Sequence, residues 1–299
     1  MSNTDQQPVI GVDIGGSHLT AAVVDNGIIL PQGRSRIKVN PHAPAAEIFD
    51  LWAKCLTEVS AVAGLRLPKI GIAMPGPFEY AAGISRIRGL NKYESLYGIN
   101  VKNELAGRLQ LPAENLIFIN DAEAFLLGEV YAGSGAGFDR VIGITLGTGL
   151  GSASALDGVV KDENRAVVPY LDSFAEAYIS TRGLTGRFEE LTGLACKDLK
   201  AIITLDNHQK EVREVFSEFT VHLENFLSDF ISDTRAEVVV IGGNIARADS
   251  WFLPELQNRL RSRFPGTSLR LTELWEDAAL VGATAVFAEK YSRSEIQNT

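Results

Sequence analysis

The sequence predicts an α/β protein of two domains that are built from one duplicated unit. Three observations lead to this prediction. Short β-branched segments alternate with segments of helical periodicity along most of the chain. A strand–turn–strand pattern near the N-terminus returns near the middle of the chain. The length of 299 residues also exceeds what one small hydrophobic core accommodates and suits two domains of ordinary size.

The duplicated pattern is VIGVDIGGSHLTAAVVDNG (9–27) and VIGITLGTGLGSASALDG (141–158). The two copies superimpose without a gap at an offset of 132 residues. Each copy has a strand, a glycine-rich turn, a second strand of small residues and a D-N-G or D-G turn signal. The glycine-rich stretch 133–139 directly before the second copy is the best candidate for a linker.

The remaining elements of the first half follow the first copy. Helical periodicity predicts helices at 44–63 and 101–110, and apolar runs predict strands at 69–74 and 115–120. A further helix begins at Asp121, which is placed to cap it.

The second half contains helical segments between 172 and 206 and a long amphipathic helix at 209–232. The aromatic stripe of that long helix indicates core packing. The elements predicted after it are a strand at 237–243, a helix from near 250, a strand at 268–272, a closing helix at 277–290 and a frayed tail. We expect one domain at 1–120, completed by 277–299, and a second at 121–276.

Composition excludes several functional classes. A net charge of −9 and the absence of basic runs argue against a nucleic-acid partner. The two cysteines and four histidines show no spacing typical of disulfide frameworks or metal ligands. Since neither a signal peptide nor an apolar run of about 20 residues is present, we expect a cytoplasmic protein without membrane contact.

The glycine turns are the candidate phosphate-binding elements. In the first turn Gly15, Gly16 and Ser17 can direct successive backbone N–H groups outward. The second turn offers the same through Gly147, Thr148, Gly149 and Gly151. Because a strand and not a helix follows each turn, neither a Rossmann nor a P-loop arrangement is predicted. Taken singly, each could be an ordinary tight turn.

Two carboxylates stand beside these features. Asp13, which the second copy replaces by Thr145, could hold hydrated Mg²⁺ beside a phosphate or could only fix its own turn. Asp121 could accept a proton from a substrate hydroxyl or could only cap its helix. Apart from these carboxylates, Gly242 and Gly243, which precede Asn244, could let the backbone approach a flat ligand. They could also form only an ordinary β-to-α turn.

Taken together, the motifs resemble those of the ROK family (repressors, open reading frames and sugar kinases) in the actin-like, ribonuclease H-like ATPase superfamily. They are D-x-G-G-S at 13–17, P-G at 75–76, N-D-A at 120–122, L-G-E at 127–129, G-T-G-x-G at 147–151 and G-G-N at 242–244. The resemblance implies a nucleotide cleft between a sugar- and phosphate-binding N-terminal domain and a nucleotide-binding C-terminal domain. It also implies ATP and Mg²⁺ as cofactors, a hexose or amino sugar as substrate, and a homodimer.

The resemblance further implies individual roles. Asp121 would be the base that activates the sugar hydroxyl. The implied sugar contacts are Gly76, Asn91, Asn120, Asp121 and Glu176. The implied nucleotide contacts are Asp13, Gly15, Gly16, Ser17, Gly147, Thr148, Gly149, Gly151, Gly242, Gly243 and Asn244, with Asp13 holding Mg²⁺ through water.

The chain departs from the family pattern after the second turn. Family kinases carry E-x-G-H and then C-x-C-G-x-x-G-C-x-E, whose cysteines and histidine bind a structural zinc. Here Val167, Pro169 and Phe174 stand at the cysteine positions, so we expect no zinc site. The E-x-G-H contacts are missing, although Glu163 could replace that glutamate. This departure leaves open which sugar is bound.

Three alternatives differ in class. The first is an ATP-dependent sugar kinase, and the second is a weakened relative that senses sugar or nucleotide. A filament-forming ATPase is the third, and the N-D-A motif argues against it. A DNA-binding repressor is not expected, since the first strand begins at residue 8 or 9 and leaves no room for a helix-turn-helix domain.

Overall fold

The computed structural model describes residues 7–288, and the chain forms two compact units. Among the described residues, the first unit comprises 7–133 and 276–288, and the second comprises 134–275. The predictions for the polar N-terminal segment and for the tail fall wholly or largely on residues 1–6 and 289–299. These positions lie outside the described residues.

The first unit begins with the first copy of the repeat. Its strands are β1 (Val9–Ile14), β2 (His18–Asp25), β3 (Ile28–Lys38), β4 (Ile70–Met74), β5 (Phe78–Glu79), β6 (Ile84–Ser85) and β7 (Leu116–Asn120). The helices before residue 133 are α1 (Ala45–Val62), α2 (Val101–Leu109) and α3 (Asp121–Ala132).

Five of these strands form one sheet in the order β3-β2-β1-β4-β7. The strands β1, β4 and β7 are parallel, so Ile14, Met74 and Asn120 end at the same edge. Apolar residues of α1, with Phe49 and Trp52 fully buried, pack on one face of this sheet. The edge where parallel strands end is where ligands bind in open α/β sheets.

The second unit repeats this plan. Its strands are β8 (Arg140–Leu146), β9 (Leu150–Leu156), β10 (Val159–Asp162), β11 (Pro169–Tyr170), β12 (Ser173–Phe174), β13 (Val238–Gly242) and β14 (Ser268–Leu271). Its helices are α4 (Ala175–Tyr178), α5 (Thr181–Thr192), α6 (Leu199–Ile203), α7 (Gln209–Thr234) and α8 (Leu253–Arg263). The main sheet has the order β10-β9-β8-β13-β14, which matches the first sheet strand for strand. The structure therefore confirms the duplication.

The two hairpins differ in one respect that the gapless superposition missed. The first turn is closed by the pair Ile14 and Leu19, whereas the second is closed by Leu146 and Leu150. The second turn is one residue shorter between its closing pairs, so the prediction of a gapless match is wrong in the turn itself. The physical reason is the hydrogen bond that closes each turn. Gly147 N donates to Gly149 O, two residues later, at 3.0 Å, whereas Gly15 N donates to His18 O, three residues later.

After the second unit the chain returns to the first through α9 (Ala278–Ala285). Helices α3 and α9 cross at two glycines, because a Cβ atom at Gly128 would overlap the Ala278 carbonyl oxygen and one at Gly282 would overlap that of Ala124. This close packing keeps α3 in the first unit. The division consequently lies at 133/134, inside the predicted linker, and the predicted boundary at 120/121 is wrong.

Three local predictions have different outcomes. The aromatic stripe of α7 is buried in the core of the second unit, which confirms the packing expectation. Residues 173–174, expected within a helical stretch, instead form β12, which pairs with β11. Helix α9 ends at Ala285, before the end predicted at residue 290.

Candidate functional site

The first glycine turn opens a recess of about 290 Å³ in the first unit. Gly15 N donates to His18 O over 2.9 Å and closes the turn, while Gly16 and Ser17 are exposed at its tip. The lining residues are Asp13, Gly15, Gly16, Ser17, His18, Thr20, Arg34, Arg36 and Glu276. A Cβ atom at Gly16 would meet nothing within 4 Å. The turn therefore leaves open space for a bound group.

Asp13 lines this recess and lies one residue before the end of β1. Burial raises the pKa of its carboxyl from 3.8 to about 6, and the negative charge of Asp121 contributes in the same direction. Arg36 opposes the rise. An electrostatic effect between Asp13 and Asp121 means that the two predicted carboxylates lie in one charged neighbourhood. A cation placed between them and a phosphate would lower their mutual repulsion.

The helix that begins after β7 is capped by Asn120 and not by Asp121. The Asn120 Oδ1 atom accepts hydrogen bonds from Ala122 N at 2.8 Å and Glu123 N at 3.2 Å. Asp121 is the first helical residue, is exposed, and its Oδ1 atom accepts from Ala122 N at 2.9 Å. The prediction that Asp121 caps the helix is wrong because Asn120, whose backbone is still extended, occupies the N-cap position and Asp121 is already helical. Capping alone consequently does not explain Asp121.

Asn120 is held by a tyrosine that the sequence reasoning did not single out. Its Nδ2 atom donates to Tyr80 Oη at 3.1 Å, and Tyr80 Oη donates to Met74 O at 3.0 Å. The Tyr80 hydroxyl also lies 3.4 Å from the position that a Cβ atom of Gly76 would take. Gly76 and Asn120 are thus brought together around Tyr80 at the ends of β4 and β7.

Asn91 belongs to an exposed segment that a second tyrosine connects to the first turn. Its backbone is left-handed, with φ +55°, and its N–H donates to Glu94 Oε1 at 3.1 Å. Two residues later, Tyr93 is fully buried and its hydroxyl donates to Gly15 O at 2.7 Å. The predicted sugar-contact segment and the predicted phosphate turn are therefore joined by one hydrogen bond.

In the second unit the glycine turn is supported by a carboxylate. The Glu176 Oε2 atom accepts from Leu150 N at 3.0 Å, and Oε1 accepts from Arg182 Nη2 at 2.8 Å. A Cβ atom at Gly149 would lie 2.6 Å from Glu176 Oε2, so an added methyl group would displace the Glu176 carboxylate. The structure thus places Glu176, which the family resemblance assigned to the sugar, against the second turn. Thr148 is exposed at the tip of that turn.

The segment 242–244 reaches the same turn from β13. Gly243 has φ +86°, and a Cβ atom there would overlap the carbonyl oxygen of Leu146. Gly242 lies opposite Thr145, which pairs in turn with Gly151 of β9. Asn244 is exposed. The structure therefore groups these residues with the second turn, as it groups Asp13, Gly76, Asn120 and Asp121 in the first unit.

The region of the expected zinc motif is a small hairpin. Pro169 pairs directly with Phe174, and Val167 is exposed beside them. Glu163 accepts from Ser154 Oγ at 2.6 Å within the neighbouring strands. Within residues 7–288, no three His, Cys, Asp or Glu side chains are grouped so that they could hold a metal ion. Over the same range, each helix is too short or too polar to cross a bilayer.

Comparison with known proteins gives a consistent set of relatives. Residues 9–163 match the model of the ROK family. A glucokinase of Thermotoga maritima is 26% identical over 94% of this chain and 98% of its own length. An N-acetylgalactosamine kinase of Shewanella sp. strain ANA-3 is 23% identical over 87% of this chain and 89% of its own length. A ROK family glucokinase from Streptomyces griseus, solved with glucose and AMPPNP, has a TM-score of 0.71 at 25% identity and covers 94% of this chain and 99% of its own.

Proposed function

Because the chain belongs to the ROK family, we propose that it is a kinase that transfers the terminal phosphate of ATP to a hydroxyl group of a hexose or an amino sugar. Relatives that align over nearly the whole chain are a glucokinase and an N-acetylgalactosamine kinase. The solved relative with glucose and AMPPNP has the same fold. These likenesses support both the reaction class and the type of substrate.

The observation that carries the proposal is the position of Asp121. Its carboxylate is exposed at the edge where the parallel strands of the first sheet end, close enough to Asp13 to raise the pKa of that residue. Asn120 performs the capping for which Asp121 would otherwise be needed. In the proposed reaction the sugar oxygen attacks the terminal phosphorus, the bond to ADP breaks, and Asp121 accepts the hydroxyl proton. A carboxylate of ordinary pKa suffices, since phosphoryl transfer mainly needs an oriented nucleophile.

The proposed contacts with the phosphoryl donor ATP lie in and beside the two glycine turns. Gly15, Gly16 and Ser17 offer an open turn in the first unit, and Asp13 fits a hydrated Mg²⁺ because this carboxylate residue lines the recess at that turn. Bound Mg²⁺ would neutralise phosphate charge. In the second unit the proposed nucleotide contacts are Gly147, Thr148, Gly149, Gly151, Gly242, Gly243 and Asn244.

The sugar contacts stay proposals of the same kind. Gly76 and Asn120 lie together at Tyr80, and Asn91 is exposed on the segment tied to the first turn. For Glu176, contact with the second turn supports a role in holding that turn in addition to any contact with sugar. A homodimer, a cytoplasmic location and the division of sugar and nucleotide binding between the units also remain proposals.

A panel of sugars tests the proposed activity. Purified protein is incubated with Mg²⁺-ATP and single hexoses or N-acetylhexosamines, and both ADP and phosphorylated sugar are measured by mass spectrometry. We expect ADP and sugar phosphate to form in equal amounts with at least one sugar. If ATP binds and no sugar of the panel is phosphorylated, the kinase proposal is wrong and the sensor alternative is favoured.

A further inference from the structure

A basic side chain on β3 shares a row with Asp13. Asp13 lies opposite Thr20 of β2, and Thr20 lies opposite Arg36 of β3. Residues that are directly opposite in adjacent strands point to the same face of a sheet. Arg36 therefore stands on the face that carries Asp13, and its side chain lines the recess at the first glycine turn. The positive charge of Arg36 lowers the pKa of the Asp13 carboxyl, so the two groups interact electrostatically.

Arg36 is weakly held in the free protein. Its Nη1 atom lies 3.3 Å from Glu276 Oε2, and the two side chains are 55% and 62% exposed. An exposed pair at this distance contributes little to stability, because water screens both charges. By contrast, the neighbouring Arg34 lies 2.7 Å from Asp277 Oδ1, and both of these side chains are less exposed. Arg36 can consequently leave its partner at little cost.

The recess carries negatively charged side chains, so a bound phosphate chain would need a cation to reduce the repulsion. Asp13 and Glu276 both line it, and Asp121 acts on Asp13. A triphosphate adds several negative charges to this neighbourhood. Guanidinium groups bind phosphate oxygens through paired, charge-assisted hydrogen bonds. Arg36 is the side chain of the recess that combines high exposure, a weak partner and the row shared with Asp13.

We propose that Arg36 exchanges Glu276 for the phosphate chain of the phosphoryl donor and thereby sets the affinity for that donor. The ligand class is an oligophosphate, either the triphosphate of a nucleotide or an inorganic chain. This inference rests on the proposed function, because it assumes that the first turn binds donor phosphates. It adds a binding residue that the motifs did not contain.

Binding without turnover tests the inference. Calorimetry measures ATP, tripolyphosphate and adenosine, each with Mg²⁺ and without sugar, on the wild type and on Arg36→Met. We expect ATP and tripolyphosphate to bind about tenfold more weakly to the variant, because a charge-assisted hydrogen bond is lost. Adenosine should bind equally. Arg66→Met, which removes an exposed arginine before β4, at the opposite end of the sheet, should leave all three unchanged.

Glu276→Gln should change the affinity for ATP in the direction opposite to Arg36→Met. Removal of the competing carboxylate should free Arg36 and tighten ATP binding, and this variant keeps the test decisive if Arg36→Met folds poorly. Equal ATP affinity of Arg36→Met and the wild type, or weaker ATP binding by Glu276→Gln, would overturn the inference and leave the kinase proposal standing. A wild type that binds neither ATP nor tripolyphosphate would overturn both.

Discussion

The hydroxyl of Tyr93 donates a hydrogen bond of 2.7 Å to the carbonyl oxygen of Gly15, which lies 78 residues earlier. Tyr93 is fully buried, with its ring edge-to-face against Trp52. Burial raises the pKa of the Tyr93 phenol above its usual value, and the charge of Asp13 adds to this, so the phenol stays a donor. The bond therefore fixes the segment of Asn91 relative to the first glycine turn. In the proposed function, that segment contacts the sugar and the turn contacts the phosphates of ATP.

Tyr93→Phe should loosen both contacts at once. The Gly15 carbonyl oxygen loses a donor in a partly buried site, so we expect a loss of about 1 kcal/mol in the free energy of unfolding. The KM values for ATP and for sugar should both rise. Urea unfolding and steady-state kinetics check these effects. Tyr97→Phe is the control, because Tyr97 is half exposed and its ring contact with Arg88 survives the change. A variant with unchanged KM values would contradict the coupling.

Nucleotide binding should depend on pH through Asp13. Its pKa is raised to about 6, so the carboxyl is charged at pH 8 and mostly protonated at pH 5. A protonated carboxyl cannot hold hydrated Mg²⁺. We expect the affinity for Mg²⁺-ATP to fall as the pH drops below about 6, whereas Asp13→Asn should bind weakly at both values. Calorimetry at the two pH values checks this, and a wild-type affinity that is the same at both would contradict it.

The same shift predicts that Asp13 destabilises the folded protein. Between the unfolded pKa of 3.8 and the folded pKa of about 6, the folded state keeps a proton that the unfolded chain has lost. Stability therefore falls as the pH rises through this window. Asp13→Asn should raise the free energy of unfolding by up to about 3 kcal/mol at pH 8, and the gain should vanish as the pH falls to about 4. Denaturant titrations across this range measure it; a gain that grows at low pH would contradict the prediction.

Glu176→Ala should act mainly on the nucleotide. The amide of Leu150 would lose a charged acceptor, so the second turn should be less well ordered, and ATP should bind about tenfold more weakly. Glu189→Ala, an exposed carboxylate on α5, is the matched control. Calorimetry with ATP and the KM for sugar separate the two roles. An increase in the sugar KM with unchanged ATP affinity would show that Glu176 binds sugar and does not support the turn.

Two helical glycines should respond in opposite directions. Gly128→Ala would force α3 away from α9, because the added methyl group overlaps the backbone of Ala278. We expect a loss of about 3 kcal/mol or more, typical of severe overpacking. Gly107 of α2 is exposed and has no atom near its Cβ position, so Gly107→Ala should stabilise the protein by up to about 1 kcal/mol. Thermal unfolding of both variants checks this, and a stable Gly128→Ala protein would contradict the close crossing.

The sequence contained enough to predict the duplicated sheets and some of the residues that lie at the edge where the parallel strands end. Periodic apolar runs predicted strands such as β4, β7 and β13, and the two glycine hairpins indicated the repeat. Because parallel strands end at one edge, residues that follow them in sequence, such as Gly76 and Asp121, could be expected to lie at one edge.

Long-range contacts could not be predicted in the same way. The crossing of Gly128 with Gly282 joins residues that are far apart in sequence, and it decides that α3 belongs to the first unit. The contacts of Tyr80 and Tyr93 have no local pattern, since an isolated tyrosine is most often a core residue. Asn120 and Asp121 are both good capping residues, and only the extended backbone of Asn120, which places its side chain at the N-cap, decides between them.

The most direct test of the proposed mechanism compares Asp121→Asn with the wild type in one experiment that measures both turnover and binding. Asp25→Asn, at the end of β2, is the control for loss of a partly exposed carboxylate. With the best sugar of the panel, we predict that ADP release by Asp121→Asn falls by about a hundredfold or more, the range for general-base catalysis, while ATP affinity stays within a few-fold of the wild type. An Asp121→Asn protein that phosphorylates sugar at the wild-type rate would contradict the central claim that Asp121 is the catalytic base.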